Sequence, residues 1–204
     1  MIEGDGTEGD GTAGDGDRQG EAVGDAHVEV EALAGSWPRI LIEAGTADSL
    51  ARRWVASRRA AVAAGRPPHA HHPLSPALAA ILSEIRRARR LVRGLEAAEE
   101  ALTIQAQGVR RAVSSAPPAV RRVSRLLLVS ADGSPRFYRN IESLIRKFGE
   151  TLEVLIIPCD ELELGTAAFG ADNRARALLV DHKDAVARVL DCLGEFDPGP
   201  RVEG

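Results

Sequence analysis

Leu126-Leu127-Leu128-Val129-Ser130-Ala131-Asp132-Gly133-Ser134-Pro135 is the stretch whose reading decides the fold. Its first half is a continuous apolar run with the length of a buried strand. Its second half is a helix start: a serine at the N-cap accepts a hydrogen bond from a free first-turn N–H, and proline suits the turn that follows. Phe137, Ile141, Leu144, Ile145 and Phe148 then recur at helical spacing, and Gly149 fits the C-terminal stop. The unit repeats downstream. Val154-Leu155-Ile156-Ile157 is a second strand-like run, ended by Pro158. Asp160 is placed to cap a short helix carrying Leu162, Leu164 and Ala168, which Gly170 closes. Ala177-Leu178-Leu179-Val180 is a third run, leading through Asp181 into a last helix on Ala185, Val186, Val189, Leu190 and Leu193. Strands that are apolar along their whole length are buried on both faces. The alternation therefore predicts an α/β fold, a three-layer α-β-α sandwich around a small mixed sheet.

Upstream, Trp37-Pro38-Arg39-Ile40-Leu41-Ile42 reads as a short strand or an anchoring segment. A helix is predicted over 46–64, with Leu50, Trp54, Ala61 and Val62 on one side and Arg52, Arg53, Arg58 and Arg59 on much of the other. Gly65 and Pro67-Pro68 end it, and His69, His71 and His72 fall in the loop beyond. Ser75-Pro76 opens the clearest helix, whose stripe is Leu78, Ile81, Leu82, Ile85, Ala88, Leu91 and Val92, with Gly94 near its end. An acidic helical piece, 95–101, follows. Leu102-Thr103-Ile104 reads as a brief strand, residues 105–113 as another helix, and Pro117-Pro118 as its break. Residues 1–35 are Gly-Asp-Gly repeats with too little apolar surface to offset ordering entropy, so they are predicted to be a disordered acidic tail. The expected organisation is that tail, a helical basic extension over 36–101, an α/β core over 102–194 and a flexible tail over 195–204.

Charge is unevenly spread among the 204 residues. The net charge is −9 over residues 1–31, +10 over 32–125 and −5 over 126–204. A basic middle between acidic ends points to a polyanion-binding face, or to solvated arginine-rich helix surfaces. Aromatic residues make up only 3% of the chain, so the core must be aliphatic. Cys159 and Cys192 occupy apolar periodic positions and read as reduced core thiols of a nuclear or cytoplasmic protein. No apolar run is long enough to span a membrane, and no membrane partner is expected.

Several chemistries are refused by their own spacing. Asp15, Asp17 and Gly20 suggest a calcium loop, but Gln19 takes a ligand position and Ala26 stands where the bidentate glutamate belongs. The three histidines have no carboxylate or cysteine spaced to complete a metal site. Gly165 and Gly170 have phosphate-loop spacing, but Ala171-Asp172 replaces the lysine and hydroxyl. Cys159 and His182 could pair as nucleophile and base, yet nothing in the sequence activates the thiol. The chain is therefore read as a non-enzyme without a cofactor.

From residue 102 to 193 the order of motifs resembles the kink-turn-binding ribosomal-protein superfamily, the ribosomal proteins L-seven-A-e and L-thirty-e and their relatives. The strand ending in Asp132-Gly133-Ser134-Pro135 resembles that family's apolar strand and Asp-x-x-Pro. Glu163-Leu164-Gly165-Thr166-Ala167-Ala168-Phe169-Gly170 resembles its Leu-Gly-x-Ala-x-Gly helix end. The family's RNA signature, Gly-x-Asn-Glu-Val-Thr-Lys at a helix start, meets sheared G·A pairs of a bent duplex. Gln105-Ala106-Gln107-Gly108-Val109-Arg110-Arg111 lies at the matching place. There Gln105 replaces the glycine, Gln107 falls on the asparagine, Gly108 on the glutamate and Arg111 on the lysine. The family's second RNA-facing loop precedes its last strand, here Asp172-Asn173-Arg174-Ala175-Arg176.

The resemblance implies an RNA-binding subunit of a ribonucleoprotein. Its contacts would be Gln105, Gln107, Gly108, Arg110, Arg111, Arg174 and Arg176, and its partners structured RNA and neighbouring protein subunits. Amides can read base edges, and arginine at a helix start can pair with phosphate. The long N-terminal region resembles the ribonuclease P and MRP subunit branch, which implies tRNA or rRNA processing and a nuclear or nucleolar setting. The rival reading is a protein-interaction scaffold that docks the stripe running from Leu78 to Val92 on a partner.

Overall fold

A computed structural model describes residues 16–113 and 122–195, with side chains over 26–108 and 122–194. In chain order its elements are α1 (Gly16–Ser36), α2 (Arg39–Glu43), α3 (Ala47–Ala63), β1 (Ala70–His71), α4 (Pro76–Arg87), β2 (Leu91–Arg93) and α5 (Leu95–Val113). There follow β3 (Arg125–Ser130), α6 (Pro135–Phe148), β4 (Leu152–Ile157), α7 (Glu161–Phe169), β5 (Ala177–Val180) and α8 (Lys183–Glu195). The strands form one sheet in the order β1-β4-β3-β5-β2. β1, β4 and β3 are parallel, β5 is antiparallel to β3, and β2 is antiparallel to β5.

Strand side chains alternate between faces, and here both faces are apolar. Leu126, Leu128, Leu155, Ile157, Leu178 and Val180 join a core with Leu50 and Trp54 of α3, Leu78 and Leu82 of α4, Leu164 of α7 and Leu190 of α8. Leu127, Val129, Val154, Ile156 and Leu179 face the other way, under Ala98 and Leu102 of α5 and Ile141 and Leu144 of α6. Helices thus cover both faces, and the architecture is the three-layer α-β-α sandwich read from the sequence.

The capping residues do what their positions predict. Ser134 Oγ accepts from the Phe137 N–H at 3.3 Å, and Ser75 Oγ from the Leu78 N–H at 3.1 Å. Asp160 Oδ1 accepts from the Leu162 and Glu163 N–H groups, both at 2.8 Å, while Glu163 Oε2 accepts from the Asp160 N–H at 3.1 Å. Each such cap contributes about 1 kcal/mol.

Upstream of β3 the structure corrects several expectations. Residues 36–101 are not an extension beside the core: they supply both edge strands, helices α2 to α4 and the first turns of α5. The histidine loop contains β1, which Ala70 and His71 form against Leu155 and Ile156. The stripe of α4 stops at Arg87, so Ala88 is an exposed cap residue and Leu91 and Val92 lie in β2. Residues 37–42 form no strand; Trp37 is wholly buried and stacks edge-on against Trp54, centroids 5.3 Å apart, ahead of the short α2. Val62, assigned to the inner side of α3, is exposed. Part of the expected disordered tail, residues 16–35, lies in α1, where Glu29 pairs with Arg58 and Arg59 of α3. An apolar partner face does for α1 what its own composition cannot. Residues 1–15, the Pro117-Pro118 break, and 196–204 of the expected C-terminal tail lie outside the described residues.

Glu153 is the one charged residue of β4 and sits half-buried beside α3. Burial pushes its carboxyl up to about 7, against the opposing pull of the Arg58 charge and hydrogen bonds from the Val154 backbone and the Trp54 indole. A carboxyl held above its ordinary value favours folding most below that value, and the advantage disappears as pH rises through about 7. Glu153→Gln keeps a side-chain acceptor for Trp54 and removes the charge. It is expected to raise Tm at pH 8 and to leave it nearly unchanged at pH 4. Parallel Tm-against-pH curves for variant and wild type would show that Glu153 is not held this way.

Candidate nucleic-acid interface

The predicted signature does not lie at a helix start. Residues 102–104 are helical, and the two pieces expected on either side of them are one helix, α5. Leu102 belongs to its buried stripe, and Thr103 Oγ1 donates to the Glu99 carbonyl at 2.7 Å, so β-branched residues here satisfy the helix rather than a strand. Gln105, Gln107 and Gly108 therefore stand in the helix interior, where N–H groups are already bonded. Gln107 and Gly108 are exposed and Gln105 is half-buried. Arg110 and Arg111 continue the same helix; their side chains lie outside the described set. At 1.5 Å per residue, Gln107 is about 18 Å along the axis from Leu95.

A strand–glycine–helix junction lies at β2, Gly94 and α5. Just beyond α4, after the cap residue Ala88, Arg89 stands at φ 55°, a left-handed conformation usually given to glycine or asparagine. The Arg90 N–H donates to the Ile85 carbonyl at 3.0 Å and the Arg89 N–H to the Arg86 carbonyl at 2.9 Å, which closes the turn. Three residues then pair with β5 in the register Leu91–Val180, Val92–Leu179 and Arg93–Leu178. Gly94, at φ 91°, donates its N–H to the Ala177 carbonyl at 2.9 Å and turns the chain into α5. The first N–H groups of α5 have no partner within the helix.

This junction meets the loop before β5. Arg93 Nη1 donates to Asn173 Oδ1 at 3.3 Å, and the Arg93 guanidinium lies over the Phe169 ring, 5.5 Å from its centroid. Asn173 is itself a brace: its Nδ2 donates to the carbonyls of Phe169, Gly170 and Ala171 at 3.1–3.3 Å. Gly165 is what lets α7 approach so closely. A Cβ there would lie 2.3 Å from the Asn173 carbonyl oxygen and 2.7 Å from the Ala175 nitrogen.

The two arginines predicted in this loop are present but not free. Arg174 Nη1 is 3.0 Å from Glu161 Oε1, Arg176 Nη2 is 2.9 Å from Glu161 Oε2, and Arg176 Nε is 3.6 Å from Asp132. Asp132 is part-buried, which opposes its charge. Hydrogen bonds from Ser130 and the Glu161 N–H, with the Arg176 charge, outweigh that and hold its carboxyl below the ordinary range. Arg86, Arg87, Arg89 and Arg90 surround the β2 corner, are exposed, and make no side-chain ion pair among the described residues. This cluster is what the basic middle segment builds.

Beside the junction a groove of ≈ 720 Å³ runs between α5 and α6, lined by Arg93, Glu96, Glu99, Asn140, Ser143 and Lys147. Elsewhere the refused sites stay separate. His69 Nε2 lies 3.1 Å from Glu142 of α6, whereas His72 Nδ1 contacts the Pro73 carbonyl at 2.7 Å. Burial lowers the pKa of all three histidines, and no group of three metal-binding side chains converges among the described residues. The Cys159 thiol is pushed up to about 12 by burial and then by Glu163, Asp160 and Asp132, so it stays protonated and unreactive at neutral pH. No described helix is long and apolar enough to cross a membrane.

No protein-family model matches this chain, and no curated protein matches it. Among solved structures, a protein of unknown function from Bacillus halodurans C is similar at 22% identity and a TM-score of 0.39, covering 59% of this chain and 98% of that one.

Two glycine substitutions separate the site described here from the one read in the sequence. Gly108 lies inside α5 with open space around it. Gly108→Ala is expected to stabilise the protein by about 0.5–1 kcal/mol, as alanine does in a helix interior. Gly165→Ala, which would press on loop backbone, is expected to cost about 1–3 kcal/mol. Urea unfolding of both variants checks this; a destabilised Gly108→Ala would mean that residue 108 turns the chain.

Proposed function

We propose that this chain is an RNA-binding protein subunit of a ribonucleoprotein, and that its interface is the corner formed by β2, Gly94, the first turns of α5 and the loop 172–176. The observation that carries the reading is the union of two segments through Arg93. A strand–glycine–helix start and a loop before the last strand are the two RNA-facing parts of the family whose motif order this sequence resembles. Here Arg93 reaches Asn173 and Phe169 across that corner. In this register Gly94 takes the place of the signature glycine, and Glu96 and Ala97 the places of its asparagine and glutamate. Exposed arginines at 86, 87, 89 and 90, which make no side-chain ion pair among the described residues, supply the attraction for phosphate.

The interaction-scaffold reading loses the surface it depended on. Leu78, Leu82 and Ile85 are buried in the core with residues of α7 and α8, so the α4 stripe has its partner inside the fold. The likeness to the ribonuclease P and MRP subunit rested on a separate N-terminal extension. Residues 36–101 are built into the sheet instead, and the proposal is of RNA binding rather than of that one particle.

The test is a titration of a bent and a regular RNA duplex at two salt concentrations. Wild type is expected to bind with a steep salt dependence. Arg93→Ala is expected to lose about 1–3 kcal/mol on the preferred RNA, and Gln107→Ala to change little. Wild-type protein that ignores both RNAs overturns the proposal. Loss through Gln107→Ala with Arg93→Ala silent returns the site to the middle of α5.

A further inference from the structure

Helix α6 has two faces of opposite character. Ile141 and Leu144 are buried beneath it, with Phe137, Tyr138, Ile145 and Phe148 packed around them. On the outer side Arg136, Arg139, Asn140, Arg146 and Lys147 are exposed, with Ser143 half-buried between them. At 100° per residue these six positions fall on one stripe about 16 Å long. Arg136, Arg139 and Arg146 make no ion pair or hydrogen bond through their side chains among the described residues. They differ in this from Arg174 and Arg176, which Glu161 and Asp132 neutralise. The one acidic residue of α6, Glu142, is turned away toward His69.

The groove that begins at Gly94 runs along the foot of this stripe, and its walls differ in charge. Asn140, Ser143 and Lys147 stand on the α6 wall, and Glu96 and Glu99 on the α5 wall. An ion pair crosses it, Lys147 Nζ to Glu99 Oε1 at 2.5 Å. Phosphates are favoured on one side and repelled from the other. Base edges find acceptors on the α5 wall, because a carboxylate accepts hydrogen bonds from the exocyclic amino group of cytosine, and Asn140, on the α6 side of the groove, can pair with adenine.

We propose that α6 and this groove bind a single-stranded stretch of RNA, its backbone along Arg136, Arg139 and Arg146 and its bases turned toward Glu96 and Asn140. This rests on the RNA-binding reading of the corner at Gly94, and adds to it a second site with a strand polarity and a base preference. At position 4 uridine presents a carbonyl acceptor where cytidine presents an amino donor, so a carboxylate placed against that edge favours cytidine over uridine.

The experiment titrates full-length protein with cytidine-rich and uridine-rich single strands over a range of salt. The variants are Arg136→Gln/Arg139→Gln/Arg146→Gln, a control Arg52→Gln/Arg59→Gln/Arg66→Gln with the same change in net charge on and just beyond α3, and Glu96→Ala. Single-strand binding should weaken with salt, and the α6 triple variant should lower that log–log slope by about 2, at 0.7 per lost contact. The control should keep the wild-type slope. Glu96→Ala should cut the preference for cytidine by about five- to tenfold. All substituted arginines are exposed, and equal Tm values for the triple variants establish that both are folded. An unchanged slope in the α6 variant, with duplex binding intact, overturns the single-strand site and leaves the RNA-binding corner standing. Absence of binding to any RNA overturns both.

Discussion

The pairing of β2 with β5 is the constraint on which the rest depends. Only three residues long, β2 is held at its two ends by backbone hydrogen bonds. The Asp181 N–H donates to the Arg90 carbonyl at 3.1 Å and the Gly94 N–H to the Ala177 carbonyl at 2.9 Å. This fixes where α5 begins, and hence which residues of α5 face the sheet: Ala98 and Leu102 inward, Glu96 and Ile104 outward. It also fixes the arginines between Arg86 and Arg93 at one corner, beside the loop that α7 presses into place at Gly165. Slipping β2 by one residue would exchange its faces and take Arg93 away from Asn173 and Phe169.

The central strands and their helices were legible because sequence and tertiary demands agree there. Runs such as 126–129 and 177–180 are apolar on both faces, and Ser134, Asp160 and Ser75 carry cap chemistry that local rules predict. The edges were not legible. A two-residue strand at Ala70 and a three-residue strand at Leu91 draw their stability from the neighbour they pair with, so local pattern says little about them. Leu91 and Val92 even continued the helical stripe of α4, and only the left-handed Arg89 turns them out of it. Thr103 and Ile104 misled in the opposite direction. Their β-branched side chains suggested a strand, but Thr103 bonds back to Glu99 and Ile104 faces solvent within a helix whose stripe is set by Ala98 and Leu102.

The basic charge of the candidate corner was legible in composition; the helix start expected at residues 105–111 is instead the interior of α5. The loop with Arg174 and Arg176 stands where the motif order put it, yet both guanidiniums answer to Glu161. Arg86, Arg87, Arg89 and Arg90 at the corner and Arg136, Arg139 and Arg146 on the outer face of α6 make no side-chain ion pair among the described residues, and the sequence reading assigned them no RNA contact. Composition counts charges without telling which are spent within the fold, and for Arg174 the spending partner is Glu161, on the helix the loop returns to. The N-terminal segment hid for the same kind of reason. Trp37 and Trp54 meet each other only once α1, α2 and α3 have packed, and nothing local to Trp37 announces that contact.

The pairing of β2 with β5 is most directly tested by nuclear magnetic resonance of the protein alone, reading cross-strand contacts, amide exchange and backbone shifts over residues 90–108. The account predicts contacts between Val92 and Leu179, slow exchange of the Gly94 and Asp181 amides, and helical shifts running unbroken from Leu95 through Gly108. Fast exchange at Gly94 and Asp181, together with extended shifts at 102–104, would contradict it and with it the position of the proposed interface.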